Sequence, residues 1–501
     1  MDQDNALGYV NRQINTLDSV AERETRYPDS GTDFAYRPIF YRLKSRVEDF
    51  LEGKYSNNII MPGLRGVGKT VLMFQVYNKF KKEFDDAHIL YLSCDNITGP
   101  VNSTLEDTLD VYEKRILGER IENIRSKVLI LIDEAHYQNN WDNIAKSFSD
   151  RNKENVMFII TGSSSLSLEM STDMSRRSDT ERTYPLRFYE YELLKSKNKE
   201  DGLIYPPTDN ANKLFSACFK DIGSPSTRED LLNTISSGLR REYFPEVDND
   251  IEIELENFLT VGGFPFCLGR DKDKIFEKTI EISRRVTDQD IIELSDLSVT
   301  SVKRGMAILQ YLADAEETSG NNIASRIGNV SGTTVGNILN AYEKAGMIHK
   351  INAAGSTSKV QSKPSKYFFT HPTLQSSFLW LTGDFDMKSE TLGNLLETAV
   401  ADILLRRKHT NSNIISEIFY DYKDGGADFV VKTADQRKII MEVGWGDKSK
   451  KGIKQVSNSL DNVGGDYGIV VSDSAREREM VEVNEEEKPI FFVPKEVFIV
   501  Q

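Results

Sequence analysis

The chain is poor in the residues that build disulfide frameworks and metal modules. Its 501 residues include three cysteines, Cys94, Cys218 and Cys267, and five histidines. No two cysteines form a C-x-x-C pair, so neither a disulfide scaffold nor a zinc module is expected, and a reducing cytoplasm is the expected compartment. His88, His136, His349, His371 and His409 are scattered along the chain, which speaks against a histidine-rich metal cluster. Long apolar runs are missing too. No stretch approaches the roughly 18 consecutive apolar residues of a membrane span, so no membrane partner is expected. Residues 1–10 are acidic and polar, without the basic start and apolar run of a signal peptide. Positive charge is also in deficit. A net charge of −15 excludes a surface devoted throughout to nucleic acid. Apolar residues are not scarce: at 39% they exclude a disordered chain and supply several cores.

Asn57–Met61 reads as a short buried strand. It runs into Gly63-Leu64-Arg65-Gly66-Val67-Gly68-Lys69-Thr70, which fits G-x-x-x-x-G-K-[ST] at every fixed position. Val71 opens an apolar, helix-competent segment through Tyr77, giving the required strand–loop–helix context. Glycines let backbone N–H groups converge on phosphate oxygens, and the helix N-terminus adds partial positive charge. Lys69 is expected on the outer phosphates and Thr70 on Mg²⁺, with ATP as the nucleotide.

Lys127–Ile132 is a second apolar strand, ending in Asp133-Glu134. Open α/β sheets hold ligands at this end of their strands. Asp133 is expected to hold the metal and Glu134 to deprotonate the attacking water. Asp133–His136 spells DEAH, but no second helicase-like half follows, and His136 is assigned to the surface or to support behind the acids. A third strand, Val156–Ile160, leads into Thr161-Gly162-Ser163-Ser164-Ser165. Ser163, then Thr161, is the candidate for sensing the outer phosphate or the water. Arg176, Arg177 and Arg182 follow, and one of them, Arg177 first, is a candidate finger supplied to a neighbouring copy. That role implies a homo-oligomer.

This order of motifs resembles the AAA-type ATPases of archaea and bacteria that carry a winged helix and a restriction-nuclease-like C-terminal domain. The likeness rests on the phosphate loop, the Leu129–His136 segment, Ile159–Ser165, Tyr184–Tyr191 and Val261-Gly262-Gly263-Phe264-Pro265. Arg187 stands where that family usually has serine. The resemblance implies that the Gly-Gly-Phe-Pro turn, with Pro265, closes over the nucleotide base after a helical lid. By itself the pattern says only that a tight turn is present. Pro206-Pro207 and Ser224-Pro225-Ser226 mark loops within the lid.

From about residue 300 the pattern becomes helix–turn–helix plus wing. Ser301 is the expected cap of a helix carrying Met306, Ile308, Leu309 and Leu312. Asn321–Gly328 forms a short second helix, and Ser331 opens a third with Val335, Ile338, Leu339 and Tyr342. Ile348–Ile351 and Lys366–Phe369 read as wing strands. The third helix has no arginine, leaving Asn337 and Asn340 as base readers. The wing is better equipped, with Lys350, Lys359, Lys363 and Lys366. Residues 301–370 hold eight basic and four acidic side chains, so contact with double-stranded DNA through phosphates is an expectation beside partner docking.

Beyond it, Leu392–Leu404 keeps helical spacing and includes Glu397. Strands follow at Ile414–Tyr420, Gly426–Val431 and Lys438–Val443, then at Tyr467–Val471 and Ile490–Val493. The order is similar to the PD-(D/E)xK nucleases. That resemblance implies a metal site of Asp428, Glu442 and Glu397 with a supporting lysine. Here Gly444 takes the lysine's position, and Lys448, Lys450 or Lys451 are the substitutes in reach.

The expected class is α/β: a P-loop parallel-sheet ATPase core (1–195), a helical lid (196–275), a winged-helix domain (276–385) and an α/β restriction-endonuclease-like domain (386–501). The expected function is Mg²⁺-dependent ATP hydrolysis driving a switch that acts on DNA or a partner protein. The alternatives are a slow nucleotide-gated signalling scaffold and an ATP-regulated nuclease directed at foreign DNA.

Overall fold

A computed structural model of the chain describes residues 2–55, 57–85, 87–163, 170–196, 210–219, 251–294, 302–315, 319–355, 363–410, 413–448, 450–473, 480–483 and 488–500. Ser164, Ser165, Ser301, Lys359 and the loop prolines assigned to the lid lie outside these residues. The described residues divide into two compact units, one through Tyr184 and one from Pro185 onward, apart from Ser196, which groups with the first. The second unit thus begins at Pro185 and, among the described residues, holds the segments assigned to the winged helix and the C-terminal domain and those assigned to the lid apart from Ser196.

The first unit contains α1 (Asp2–Glu24), α2 (Pro38–Leu51), β1 (Asn58–Pro62), α3 (Lys69–Phe80), β2 (Ile89–Ser93), α4 (Cys94–Thr98), α5 (Leu105–Val111), β3 (Val128–Asp133), α6 (Trp141–Asp150), β4 (Val156–Gly162), α7 (Thr172–Ser175) and β5 (Ser178–Thr180). The five strands form one parallel sheet ordered β2-β3-β4-β1-β5. Every residue of β1 to β4 is buried, as expected of a sheet covered on both faces. Alternation divides the strands between two cores. Ile60, Leu90, Ile130 and Phe158 face one, while Ile59, Tyr91, Leu129 and Met157 face the other. The sequence reading passed over α1. Its Tyr9 and Val10 enter the first core and its Leu17 and Ala21 the second. The Ser93 backbone N–H donates to Tyr9 Oη at 2.8 Å, which fixes α1 to the end of β2.

The second unit contains α8 (Phe188–Lys195), α9 (Asn210–Phe219), α10 (Ile251–Val261), α11 (Lys272–Arg285), α12 (Ile291–Leu294), α13 (Gly305–Asp314), α14 (Gly320–Ile327), α15 (Gly332–Lys344), β6 (Ile348–Ala353), β7 (Lys366–Phe369), α16 (Pro372–Thr382), α17 (Ser389–Thr410), β8 (Ile415–Tyr420), β9 (Phe429–Thr433), β10 (Lys438–Val443), α18 (Lys451–Val463), β11 (Tyr467–Ser472), β12 (Met480–Val483), β13 (Lys488–Pro494) and α19 (Lys495–Ile499). Helices α13 to α15 and the β6–β7 hairpin follow the expected order. Ser331 caps α15 by accepting the Thr334 N–H at 3.0 Å, and Val335, Ile338, Leu339 and Tyr342 are buried. Asn337 and Asn340 are exposed.

The wing strands do not close a module of their own. Among the described residues, one eight-stranded sheet runs β12-β13-β11-β10-β9-β8-β6-β7. Asn352 and Ala353 of β6 pair in parallel with Phe419 and Tyr420 of β8. The 276–385 and 386–501 segments thus share a sheet, because the open edge of β8 is satisfied by β6 rather than by water. Within it, α17, β8, β9, β10, α18 and β11 follow one another as helix, three strands, helix and strand. β8, β9 and β10 are antiparallel, and β10 and β11 are parallel. No described helix is long and apolar enough to cross a membrane.

Candidate functional site

The phosphate loop leaves β1 at the C-terminal edge of the parallel sheet. Gly66 and Gly68 adopt φ of 84° and 94°, a region that penalises side chains. Gly63 pairs with Thr183, and a Cβ there would lie 2.3 Å from the Thr183 carbonyl oxygen. Arg37, missed in the sequence, is buried beneath the loop. Its guanidinium donates to the Val67 carbonyl at 2.8 Å and to the Tyr184 carbonyl at 3.0 Å. No local pattern marks it, because its partners lie far along the chain. Arg65 donates to Tyr137 Oη at 3.0 Å. Val67 is buried, and Val71 lies in the first turn of α3.

Lys69 is buried and donates to the Gly63 and Leu64 carbonyls at 2.8 and 3.3 Å. Its Nζ lies 3.9 Å from Glu134 Oε1. The Thr70 hydroxyl donates to Asp133 Oδ2 at 2.7 Å, and Tyr91 Oη donates to the same oxygen at 3.0 Å. Burial, then the Glu134 charge, pushes the Asp133 carboxyl above the usual range, while the Thr161 and Thr70 hydroxyls and Lys69 oppose the shift.

Thr161, rather than Ser163, joins the acids. Its hydroxyl donates to Asp133 Oδ1 and accepts the Glu134 N–H at 3.2 Å. That second bond holds Glu134 at φ 53°, a left-handed conformation uncommon outside glycine. Ser163 instead directs its backbone N–H to His136 Nδ1 at 3.3 Å. The His136 side chain is buried, with Nδ1 3.4 Å from Glu134 Oε2, so it stands behind the base and not on the surface. The different placement of the two hydroxyl residues has a simple cause. β4 extends through Gly162, so Thr161 is still in the strand beside Asp133, whereas Ser163 has left it.

The residues fit a nucleotide with a divalent cation. The glycine cradle leaves no room for a side chain at Gly63, Thr70 and Asp133 present oxygens side by side, and Glu134 Oε2 is buried without a hydrogen-bond donor among the described residues. Arg177 is placed otherwise. It ion-pairs with Asp150, and the adjacent Ser178 pairs with Asn58 at the start of β1. The phosphate loop leaves the other end of that strand, about 13 Å away at strand rise. Arg177 is thus remote from its own site.

Pro265 opens a short 3₁₀ turn, Pro265–Cys267, in the second unit. There the preceding turn is a packing element. A Cβ on Gly263 would lie 2.3 Å from His371 Nδ1, and the Gly263 N–H donates to Thr373 Oγ1 at 3.0 Å.

The second unit also holds a cleft of about 990 Å³ lined by Lys366, Glu397, Asp428, Glu442, Trp445 and Lys448, among others. The three expected acids do face one cleft. Val443 N–H donates to Asp428 Oδ2 at 2.9 Å, fixing Asp428 against the end of β10. Lys448 Nζ lies 3.1 Å from Glu442 Oε1, and a Cβ on Gly444 would meet Lys448 Cε at 2.0 Å. The lysine therefore fills the space beside the glycine. As they stand, the acids do not form a metal site: among the described residues no three His, Cys, Asp or Glu side chains group to hold an ion.

Residues 55–192 match the family described as "AAA domain". An uncharacterised protein of Methanocaldococcus jannaschii is 28% identical over 437 residues, 87% of this chain and 84% of its own length. An uncharacterised Haemophilus influenzae protein is 28% identical over 36% of this chain and 43% of its own. Among solved structures, Aeropyrum pernix ORC1 in complex with DNA aligns at 14% identity and a TM-score of 0.31, over 68% of this chain and 91% of that one. Thermotoga maritima RuvB aligns at 14% identity and a TM-score of 0.28, over 63% and 90%. These scores are too low to carry an argument. The matched segment contains the phosphate loop, both acids and all five strands of the parallel sheet, and residues 55–192 are an AAA-type P-loop ATPase domain.

Proposed function

We propose that the chain is a Mg²⁺-dependent ATP hydrolase whose turnover drives a conformational switch acting on DNA or a partner protein. The observation that carries the reading is the chain of contacts Thr70–Asp133–Thr161–Glu134 at the mouth of the glycine loop. Backbone N–H groups of the loop and Lys69 bind the phosphates. Thr70 and Asp133 hold Mg²⁺, which neutralises developing charge on the phosphate oxygens. Glu134 orients and deprotonates water through its undonated oxygen, and Thr161 fixes both acids. Arg177, remote from its own loop, acts in a neighbouring copy, which makes the working form a homo-oligomer. Exposed Asn337 and Asn340, with Lys350 and Lys363 on and beside the hairpin, supply the DNA contact.

The test is steady-state ATP turnover with and without double-stranded DNA at low salt, with Glu134→Gln as the dead control. Stimulation that fades above about 200 mM salt supports phosphate contact. Turnover indifferent to DNA, with tight nucleotide retention, supports the signalling-scaffold reading instead. A second reading, phosphodiester cleavage in the C-terminal cleft, is favoured by one observation: Lys448 occupies the space beside Gly444. Nicking with Mn²⁺ that is lost in Asp428→Ala is its test.

A further inference from the structure

Asp133 is buried, and among the described residues three hydroxyls donate to its carboxylate. Thr161 donates to Oδ1. Thr70 and Tyr91 both donate to Oδ2, at 2.7 and 3.0 Å. Thr70 belongs to the phosphate loop and Thr161 to β4, whereas Tyr91 comes from β2. The reach of its side chain explains why this residue is a tyrosine. In the β2–β3 register Tyr91 stands opposite Leu131, and Ser93 stands opposite Asp133. Ser93 directs its own hydroxyl to Asp95 instead. Tyr91 starts two residues further back, about 7 Å along the strand, on the same face as Ser93, and its ring covers that distance. Phe74 of α3 flanks the ring with centroids 4.9 Å apart, so the hydroxyl is held at Oδ2 by packing as well as by its bond.

An ionised carboxylate offers about two acceptor positions on each oxygen. Thr70 and Tyr91 fill both positions of Oδ2, and Thr161 fills one of Oδ1. A single position, on Oδ1, stays open. Divalent cations differ in what they accept from a carboxylate. Ca²⁺ takes one oxygen or both, in a flexible shell, whereas Mg²⁺ is smaller, demands near-octahedral geometry and keeps several of its waters. A carboxylate with one oxygen saturated cannot grip a cation through both. That leaves the Mg²⁺ mode intact and removes one that Ca²⁺ uses.

We propose that Tyr91 is a positioning residue for Asp133 that sets the preference of the nucleotide site for Mg²⁺ over Ca²⁺, by closing Oδ2 and leaving Asp133 one oxygen to offer. The proposal rests on the reading of this site as one for ATP and a divalent cation. It assigns different work to hydroxyls that meet the same carboxylate. Thr161 also anchors Glu134 through its N–H, while the Tyr91 hydroxyl bonds to Asp133 alone among the described residues.

The test is a titration of the full chain with a fluorescent ADP, in EDTA, in saturating Mg²⁺ and in saturating Ca²⁺. Wild type is expected to bind more tightly with Mg²⁺ than with Ca²⁺. Tyr91→Phe keeps the ring against Phe74 and removes only the hydroxyl. It should bind metal-free nucleotide as wild type does, while its Mg²⁺-to-Ca²⁺ affinity ratio falls at least fivefold. Tyr91→Met, a flexible apolar filler of the same space, repeats the titration and should lose the preference too. An unchanged ratio in both variants overturns the proposal. So does an equal loss with both ions, the mark of a merely structural role, or a wild type that does not distinguish them. A wild type whose nucleotide affinity ignores Mg²⁺ altogether refutes the ATPase reading itself, and the proposal with it.

Discussion

Replacing Thr161 by valine tests the acid pair most directly. The change keeps a branched side chain of similar volume in a fully buried strand position and removes one hydroxyl. That hydroxyl makes two bonds: it donates to Asp133 Oδ1 and accepts the Glu134 N–H at 3.2 Å. Asp133 Oδ2 keeps its Thr70 and Tyr91 donors, while Oδ1 loses Thr161. A hydrogen bond to a charged group contributes about 1.5–3 kcal/mol, so the expected loss in kcat is roughly 10- to 150-fold. The KM for ATP should stay within about threefold, because Lys69 and the glycine loop are untouched. Thr161→Ser restores the hydroxyl and should recover most of kcat. The acid limb of the kcat–pH profile should move upward in Thr161→Val, since the lost donor is one that lowers the Asp133 pKa. The assay is steady-state turnover against ATP, Mg²⁺ and pH for the three proteins. A valine variant turning over within twofold of wild type would refute the reasoning, since Glu134 would then need no such anchor.

Three further outcomes follow from the same structure. Gly63→Ala puts a Cβ 2.3 Å from a backbone oxygen, which cannot move like the end of a side chain, so nucleotide affinity should fall at least tenfold in a fluorescent-nucleotide titration. Arg406→Met strips from Asp402 its arginine partner, both being buried and bonded at 2.7 Å, and leaves it only His349 at 3.7 Å, so it should destabilise the second unit by about 3–5 kcal/mol in denaturant unfolding. His371 is buried and its pKa falls to about 3, chiefly by desolvation. Its folded pKa lies below the unfolded value, so the unfolded chain binds the extra proton, and stability should fall as pH drops below about 6.5, by about 1.4 kcal/mol per unit at most. A His371→Asn variant should show a flatter stability–pH curve over pH 4–6.

The ATPase core was legible because its signals are local. A glycine loop, a lysine and a threonine fall within one turn of chain, and an apolar strand ending in two acids needs no distant partner to be read. Which hydroxyl serves those acids was not legible in this way. Thr161 and Ser163 differ by two residues, and only the length of β4 beside β3 decides between them. Arg37, α1 and Arg177 belong to the same class, since each is defined by a neighbour far away in sequence.

In the second unit the sequence by itself determined the order of α13 to α15 with β6 and β7, and of α17 with β8 to β11 and β13, through periodicity and caps such as Ser331, whereas α16, β12 and α19 were not read from it. It determined that the candidate acids Glu397, Asp428 and Glu442 share the last third of the chain with several lysines. Only the tertiary structure joined the β6–β7 hairpin to the C-terminal sheet, because strand pairing is chosen among edges that the sequence pattern leaves equivalent. Only the tertiary structure brought Lys366 onto Glu397 and Asp428 and laid Lys448 over Gly444. A glycine in a motif reads as a missing side chain, but in the folded cleft it is the space another side chain fills.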